Sequence, residues 1–183
     1  MPSAHGAPTC RFCAVIDISI RPEQAGDAAS VRQVNERAFG TPAEADLIEA
    51  LRGSDGSISL VATVGGAIVG HIMFTPVTLD AATAVRAAGL APMSVLPTHQ
   101  RAGVGTRLVR AGLAACREQG YTAVVVVGHP SYYPRFGFTP AHTYGLQCEF
   151  DVPREAFMVA VLDPQVLPHL AGVVRYRPEF AAV

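Results

Sequence analysis

The chain has 183 residues, of which 50% are hydrophobic, and its 14 basic and 15 acidic side chains give a formal net charge of −1. A nearly neutral chain produces no overall positive field that would attract nucleic acid, so we do not expect a nucleic-acid-binding protein. Its apolar runs are all shorter than the roughly 18 residues of a membrane-spanning helix, so we expect no membrane partner. The length is typical of a single domain.

The N-terminal segment differs in composition from the rest of the chain. Residues 1–14 contain two prolines and show no hydrophobic periodicity, which predicts a flexible lead-in before one domain over residues 15–183. The segment has neither the basic region nor the apolar core of a secretion signal, so we predict a cytoplasmic location. Cys10 and Cys13 lie here without a second pair of metal ligands, and we interpret them as two thiols in a loose tail.

The next part of the chain predicts a strand followed by two helices. Residues 15–20 alternate like a short strand, and Arg21-Pro22 is expected to open a helix that runs to about residue 37. Thr41 then precedes Pro42 and stands three residues before Glu44. This pattern is typical of a capping box, with proline at the first helical position. It predicts a second helix that ends near residue 52.

A hairpin and a third strand follow. Residues 57–64 alternate between apolar and polar side chains, and the glycines at 65 and 66 predict a two-residue turn into a strand over residues 67–79. A further strand is expected near residues 86–96. Pro92 lies inside it and has no N–H to donate, so this position is predicted to be at a sheet edge or a bulge.

The second half of the chain predicts one long helix and several strands. The helix runs to about Gln119, and the apolar residues 121–127 are typical of a buried central strand. A short helical piece is expected after Pro130, ending or bending at Pro134 because proline cannot continue a helix. Further strands are predicted near residues 146–150, 157–162 and 173–176.

The sequence from Gln100 to Gly105, Gln-Arg-Ala-Gly-Val-Gly, lies between the proline-containing strand and the long helix. Glycines two residues apart let backbone N–H groups face outward, and the helix N-terminus adds a positive dipole end, so the loop is expected to hold an anion. The phosphate loop of nucleotide triphosphatases requires a lysine that is absent here. A dinucleotide-binding loop requires a third glycine where Leu108 stands.

The flanks of this loop point to a third kind of anion. Leu90 to Val95, then Pro97, the glycine loop and the helix after it resemble the acetyl-CoA-binding segment of the GNAT superfamily of N-acetyltransferases. Residues 133–138, Tyr-Pro-Arg-Phe-Gly-Phe, are similar to a second element of that superfamily. The resemblance covers about residues 15–162. It implies an α/β fold with a mixed, mostly antiparallel sheet, helices on both faces, and two splayed strands that form an acetyl-CoA cleft.

The resemblance also implies how the cosubstrate is held. Backbone N–H groups of the loop and the helix dipole would bind the pyrophosphate of acetyl-CoA without a metal, while the preceding strand would bind pantetheine. The cosubstrate-binding residues implied in this way are Val95, Leu96, Gln100, Arg101, Ala102, Gly103, Val104, Gly105 and Thr106. Arg107 and Arg110 either add positive charge near the phosphates or lie on a solvated helix face.

The catalytic groups follow from the chemistry of acetyl transfer to an amine. The reaction requires a neutral amine, stabilisation of an oxyanion and a proton for the leaving thiolate. The resemblance implies Tyr133, four residues before Gly137, as the general acid, with Tyr132 as the alternative and simple packing under the coenzyme as a competing role. The general base is open between water and five side chains: Glu44, Asp46, Glu49, His71 and His129.

The sequence therefore predicts an acetyl-CoA-dependent N-acetyltransferase that acts on a primary amine. We expect a small-molecule acceptor, because no appended recognition domain is evident. The alternative is a non-catalytic acyl-CoA-binding sensor or partner-binding module. Apolar residues beyond position 163 either complete the sheet of one chain or support a homodimer; they are Val166, Leu167, Leu170, Val173 and Val174.

Overall fold

The computed structural model describes residues 17–80 and 85–182. Its helices are α1 (Ala28–Phe39), α2 (Ala43–Leu51) and α3 (Val104–Glu118). Its strands are β1 (Ile18–Pro22), β2 (Ile58–Val64), β3 (Ala67–Leu79), β4 (Ala87–Val95), β5 (Ala123–Val127), β6 (Thr139–Pro140), β7 (Leu146–Cys148), β8 (Phe157–Val161) and β9 (Gly172–Arg175). The predicted lead-in and its cysteines Cys10 and Cys13 lie outside the described residues, and the predicted extent of the single domain stays a prediction.

The strands form a sheet in the order β1-β2-β3-β4-β5-β8-β6, and β9 pairs with both β3 and β7. Within the described ranges every pair of neighbours is antiparallel except β4 with β5 and β7 with β9. This confirms the predicted mixed, mostly antiparallel sheet. It also places β5, whose residues are nearly all buried, in the interior of the sheet, as its apolar sequence indicates.

The hairpin between β2 and β3 forms where the glycine pair predicts it. Gly65 and Gly66 have φ angles of 56° and 84°, and Val64 pairs with Ala67 across the turn. Two consecutive positive φ angles define the turn type whose twist suits antiparallel strands, and glycine adopts them without a steric penalty. The strand that follows has the predicted bounds.

Helices cover both faces of the sheet because the strand side chains alternate between two apolar clusters. Val61 and Met73 pack with α1 and α2 on one face. Leu60, Ile72 and Phe74 pack with α3 on the other face. Successive strand residues point to opposite faces, so neighbouring positions contribute to different clusters. None of the described helices has the length and hydropathy needed to cross a membrane.

Strands β4 and β5 separate part-way along their length. They pair in parallel only between residues 87–89 and 123–125, although β4 continues to Val95 and β5 to Val127. On its other side β4 shifts register against β3 between Ile72 and Phe74, and Pro92 lies in this irregular stretch. Of the two predicted positions for Pro92, a sheet edge or a bulge, the structure has the bulge. The separation of β4 from β5 leaves a gap in the sheet.

The first helix begins later than the sequence predicts. Arg21 and Pro22 end β1, and the α-helix starts at Ala28 after one short 3-10 turn. Because β1 lies at the sheet edge, proline is tolerated there despite its missing N–H. The Asp27 carboxylate accepts hydrogen bonds from the Gln24 backbone N–H at 2.8 Å and from Arg21 Nη2 at 3.0 Å, and these bonds fix the turn that leads into α1.

The C-terminal part of the chain completes the same fold. Val166, Leu170 and Val174 are buried in a cluster with residues of β5 and β8, whereas Leu167 is exposed. Strand β9 adds to β3 and β7. Most of the apolar side chains beyond residue 163 thus have a place within one chain, and the homodimer stays a prediction.

Helix α3 packs unusually close to β3. A methyl group built on Gly112 would lie 2.2 Å from a ring carbon of the fully buried Phe74, and one built on Gly70 would lie 2.9 Å from Val104. Both distances are shorter than carbon atoms tolerate. Glycine at these two positions therefore allows the contact that holds the N-terminus of α3 beside the gap in the sheet.

We predict that Gly112→Ala lowers the free energy of unfolding by about 2 kcal/mol, as an overpacked core does. Helix propensity alone would make the substitution stabilising by up to about 1 kcal/mol. The sign of the change in unfolding free energy therefore distinguishes the effect of packing from that of helix propensity. Urea denaturation measures the difference. Gly26→Ala is the control, since a methyl group there meets nothing within 4 Å. A Gly112→Ala variant as stable as the parent chain would contradict the close contact.

Candidate active site

A cleft of about 930 Å³ occupies the gap between β4 and β5. Strand β4 lines it from Leu90 to Val95, and Val127 with the two residues after it lines the opposite wall. Gly105 at the start of α3 also borders it. The cleft therefore joins the glycine loop to the point where the two strands separate.

The N-terminus of α3 presents free backbone N–H groups to this cleft. The helix begins after Gly103, whose φ is 88°, and no side chain caps it. The first bond to the preceding turn runs from the Arg107 N–H to the Gly103 carbonyl at 3.1 Å, so the N–H groups of residues 104–106 have no acceptor within the helix. No acidic side chain lies in the first turn. This arrangement favours a bound anion.

Arg101 has a strained backbone at the same place. Among the described residues it is the one non-glycine residue with a positive φ, which is 61°. This conformation costs an L-residue roughly 1–2 kcal/mol, and such strain clusters at ligand-binding sites. Arg101 lines the cleft, whereas Arg107 donates to the Ile18 carbonyl at 2.8 Å and Arg110 lies exposed on α3. Of the three arginines, Arg101 is placed to meet an anion.

The backbone of β4 corrects one expectation. The Leu96 N–H donates to the Val69 carbonyl at 2.9 Å, and the Leu96 carbonyl accepts from the His99 N–H at 2.8 Å. Both groups are therefore engaged within the protein, and Leu96 does not offer the free backbone group expected of it. Because peptide groups alternate along an antiparallel strand, those of Val95 point away from β3, and its N–H faces the gap.

The loop residues have distinct roles. Gln100 ties the loop to β4, since its side-chain Nε2 donates to the Val95 carbonyl at 3.1 Å. Ala102 lies in the turn before α3 and does not line the cleft. Val104 is buried in the core beneath the loop, and Thr106 is partly exposed in the first helical turn. Val104 and Thr106 can thus face an anion through their backbone N–H groups.

Tyr133 and Tyr132 both line the cleft, in different surroundings. The Tyr133 ring is 7% exposed, stacks edge-on with Phe138 at 5.4 Å, and would be 2.2 Å from a methyl group on Gly128. The Tyr132 hydroxyl lies over Gly105, 2.7 Å from where a methyl group would stand. Burial raises the pKa of both phenols, so both stay protonated at neutral pH.

The helical piece that carries these residues is short, but it does not end at Pro134 as predicted, because Pro134 lies in its first turn, where a missing N–H is tolerated. It is a four-residue 3-10 turn, Tyr133–Phe136, ended by Gly137 with a φ of 89°. It begins at Tyr133 and not directly after Pro130, because residues 130–132 form a turn. The turn places Tyr133 on the β5 side of the gap, next to Gly128.

The predicted capping box at the start of α2 does not form. Pro42 occupies the cap position, and the Thr41 hydroxyl donates to the Glu44 carboxylate at 2.9 Å. Glu44 is consequently free of the backbone bond that a capping box requires, and it lines the cleft. Asp46 and Glu49 both bind Arg32, at 2.7 and 2.8 Å, and neither lines the cleft.

The two candidate histidines lie in different surroundings. His129 follows β5 and lines the cleft. His71 is fully buried outside the cleft, with its Nε2 atom 2.8 Å from the hydroxyl of Ser59, which donates to Glu23. Burial raises the pKa of Glu23, but hydrogen bonds from His71 and Ser59 and the charge of Arg52 outweigh it and bring the pKa to about 2. Glu44 and His129 remain as side-chain candidates for the base.

One wall of the cleft consists of aromatic residues that the sequence pattern does not predict. Phe39, Phe150, Tyr176 and Phe180 line the part nearest α2. They come from the end of α1, the segment after β7, and the region after β9, so no spacing in the sequence relates them. Only the tertiary fold brings these rings together.

The geometry can be compared with known proteins. Residues 19–141 match a family model described as an acetyltransferase (GNAT) domain. The chain belongs to the GNAT acetyltransferase family. This confirms the resemblance and identifies the protein as an acetyltransferase, which favours an enzyme over a non-catalytic sensor.

Two relatives from Escherichia coli align with most of this GNAT acetyltransferase. The chain is 35% identical over 164 residues to the Escherichia coli K12 protein named uncharacterized N-acetyltransferase YhbS, covering 88% of this chain and 97% of the relative. It is 40% identical over 134 residues to uncharacterized N-acetyltransferase YjhQ of the same organism, covering 70% of this chain and 74% of the relative.

Two solved structures share the fold. The crystal structure of GNAT family N-acetyltransferase YhbS from Escherichia coli in complex with CoA has a TM-score of 0.84 and 33% identity, covering 97% of this chain and 96% of that chain. A GNAT family acetyltransferase from Brucella melitensis in complex with acetyl-CoA has a TM-score of 0.74 and 35% identity, covering 90% of this chain and 98% of that chain.

Proposed function

We propose that this GNAT acetyltransferase transfers an acetyl group from acetyl-CoA directly to a primary amine of a small molecule. The observation that carries the proposal is the continuous cleft between the uncapped N-terminus of α3 and the gap where β4 and β5 separate. The complexes of two relatives with CoA and acetyl-CoA support the same cosubstrate here. The predicted cytoplasmic location and homodimer stay predictions.

The pyrophosphate of acetyl-CoA would lie on the free N–H groups of residues 104–106, with the Arg101 side chain beside it. Pantetheine would run along β4 and accept a hydrogen bond from the Val95 N–H, taking the place of a neighbouring strand. The thioester would then reach the gap, where Tyr133 lines the wall. This placement uses the predicted loop residues but not the backbone of Leu96.

The transfer requires no covalent enzyme intermediate. The lone pair of the neutral amine attacks the thioester carbonyl carbon, so the C–N bond forms as the carbonyl becomes an oxyanion. When the oxyanion collapses, the C–S bond breaks and coenzyme A leaves as a thiolate, which takes the proton of Tyr133. The nitrogen loses one proton to Glu44, His129 or water, and solvent reprotonates the tyrosine. The products are an N-acetylated amine and free coenzyme A.

Tyr133 suits the role of hydrogen-bond donor to the leaving sulfur for a physical reason. Burial raises the pKa of its phenol above the usual value near 10, so the hydroxyl carries its proton throughout the neutral range. A protonated hydroxyl can donate a hydrogen bond to sulfur as negative charge develops there. Its ring is held by Gly128 and Phe138, so its position does not depend on a bound ligand.

A small acceptor is favoured by the size of the cleft. Its volume of about 930 Å³ has to hold the acetyl-pantetheine arm as well as the amine. Ligand pockets of roughly 300–1,000 Å³ typically hold small molecules. The proposal therefore keeps the small-molecule acceptor that the sequence predicts.

We predict that Tyr133→Phe lowers kcat about 100-fold, the usual contribution of a general acid, while the Kd for acetyl-CoA changes less than about threefold. Thiol release over a panel of amines measures kcat, and titration calorimetry measures Kd. Tyr132→Phe is the matched control and should retain most of kcat, because its hydroxyl lies over the helix N-terminus. An unchanged kcat in Tyr133→Phe, or an equal loss in both variants, would remove Tyr133 from the mechanism.

We predict that Gly103→Ala weakens acetyl-CoA binding about tenfold, because alanine is strained by roughly 1–2 kcal/mol at a φ of 88° and the loop shifts to relieve it. The control is Gly53→Ala. Gly53 has a φ of 76°, and a methyl group there meets nothing within 4 Å, as at Gly103. Titration calorimetry measures the Kd for acetyl-CoA in both variants. The two should lose similar stability, but only Gly103→Ala should lose affinity. Equal affinities would contradict the anion-binding role of the loop.

A further inference from the structure

Aromatic side chains form a continuous wall on the α2 side of the cleft. The ring of Tyr176 lies 5.5 Å from that of Phe150 and 5.3 Å from that of Phe180, centroid to centroid. Phe180 and Tyr176 pack in the same cluster as Leu47 of α2 and Ala91 of β4. The wall therefore reaches β4 where it separates from β5, on the sheet face opposite α3.

Several exposed apolar side chains lie along the cleft. Four large hydrophobic residues are exposed among those the structure describes, and three of them line this cleft: Phe39 at 41%, Val127 at 42% and Phe150 at 38%. The fourth, Leu167, lies elsewhere. Exposed apolar side chains that cluster at one concave site mark a surface for an apolar ligand. The ligand suited to this wall has an apolar body.

One carboxylate complements this apolar surface. Of the described residues that line the cleft, Glu44 alone bears a carboxylate. No basic side chain in the described ranges forms an ion pair with it, and its hydrogen-bond partner is the Thr41 hydroxyl. Asp46 and Glu49 on the same helix both bind Arg32, and neither lines the cleft. One carboxylate among the described lining residues matches a ligand with one positive charge.

We propose that the acceptor is a small primary monoamine with an aromatic or similarly apolar body, seated on this wall with its ammonium group at Glu44. The inference rests on the proposed function of the same cleft and narrows its acceptor. A polyamine would bring further charges into a wall that offers no second carboxylate among the described residues, and stripping water from those charges is unfavourable. A free amino acid would bring its own carboxylate beside Glu44.

The test is an acceptor panel assayed by thiol release at fixed acetyl-CoA concentration. Phenethylamine is compared with hexylamine, putrescine, spermidine and free lysine. We expect kcat/KM for phenethylamine to exceed that for each of the last three at least tenfold, with hexylamine between. Equal or higher kcat/KM for putrescine, spermidine or lysine would overturn the substrate class.

Two pairs of variants locate the preference in the wall. Phe150→Ala should raise KM for phenethylamine about tenfold, while Leu167→Ala, a similarly exposed residue outside the cleft, should leave it unchanged. Glu44→Gln should raise the same KM at least fivefold, while Glu49→Gln should not. Unchanged KM values in Phe150→Ala and Glu44→Gln would place the acceptor elsewhere.

Titration calorimetry with acetyl-CoA distinguishes a failure of the proposed function from a failure of the proposed acceptor class. Failure of the protein to bind acetyl-CoA would overturn the proposed function itself. Binding of acetyl-CoA with faster acetylation of a polyamine or lysine would overturn only the acceptor class. Binding without thiol release on any amine in the panel would overturn both the acceptor class and amine transfer.

Discussion

The structure depends on the point where two parallel strands stop sharing hydrogen bonds. Beyond Gly89 and Val125, β4 and β5 continue without pairing, and the N–H of Val95 faces the gap. Backbone N–H and C=O groups inside a sheet are normally hydrogen-bonded. An unpaired stretch in its interior is therefore a place where a ligand can provide the missing hydrogen bonds. Pro92 and the bulge beside it belong to the same irregular stretch of β4, where a regular ladder cannot run.

Close packing of α3 on β3 places the N-terminus of the helix beside this gap. Without side chains at Gly70 and Gly112 the helix lies against the sheet, and its free N–H groups stand at one end of the gap. Tyr133 is fixed on the far wall by contact with Gly128, and Glu44 approaches from the opposite sheet face. Gly105 at the helix N-terminus, Tyr133 and Glu44 thus line one cleft, as the proposed reaction between two separate substrates requires.

Features encoded by neighbouring residues could be predicted from the sequence, and features made by distant ones could not. The glycine pair at 65 and 66 determines the β2–β3 turn, and the glycine loop determines the start of α3, because backbone conformation there depends on local residue type. Pro22 ends an edge strand where a helix was expected, since the choice depended on a partner strand. The wall of Phe150, Tyr176 and Phe180 assembles only in the folded chain.

The most direct test of the central claim is residue-resolved amide hydrogen exchange by NMR, with and without acetyl-CoA. If the cosubstrate occupies the gap, the amides of residues 104–106 and of Val95 should exchange at least tenfold more slowly when it is bound, because they become hydrogen-bonded to it. The amide of Gly53, outside the cleft, should not change. Unchanged exchange at Val95 and residues 104–106 in the presence of saturating acetyl-CoA would contradict the account.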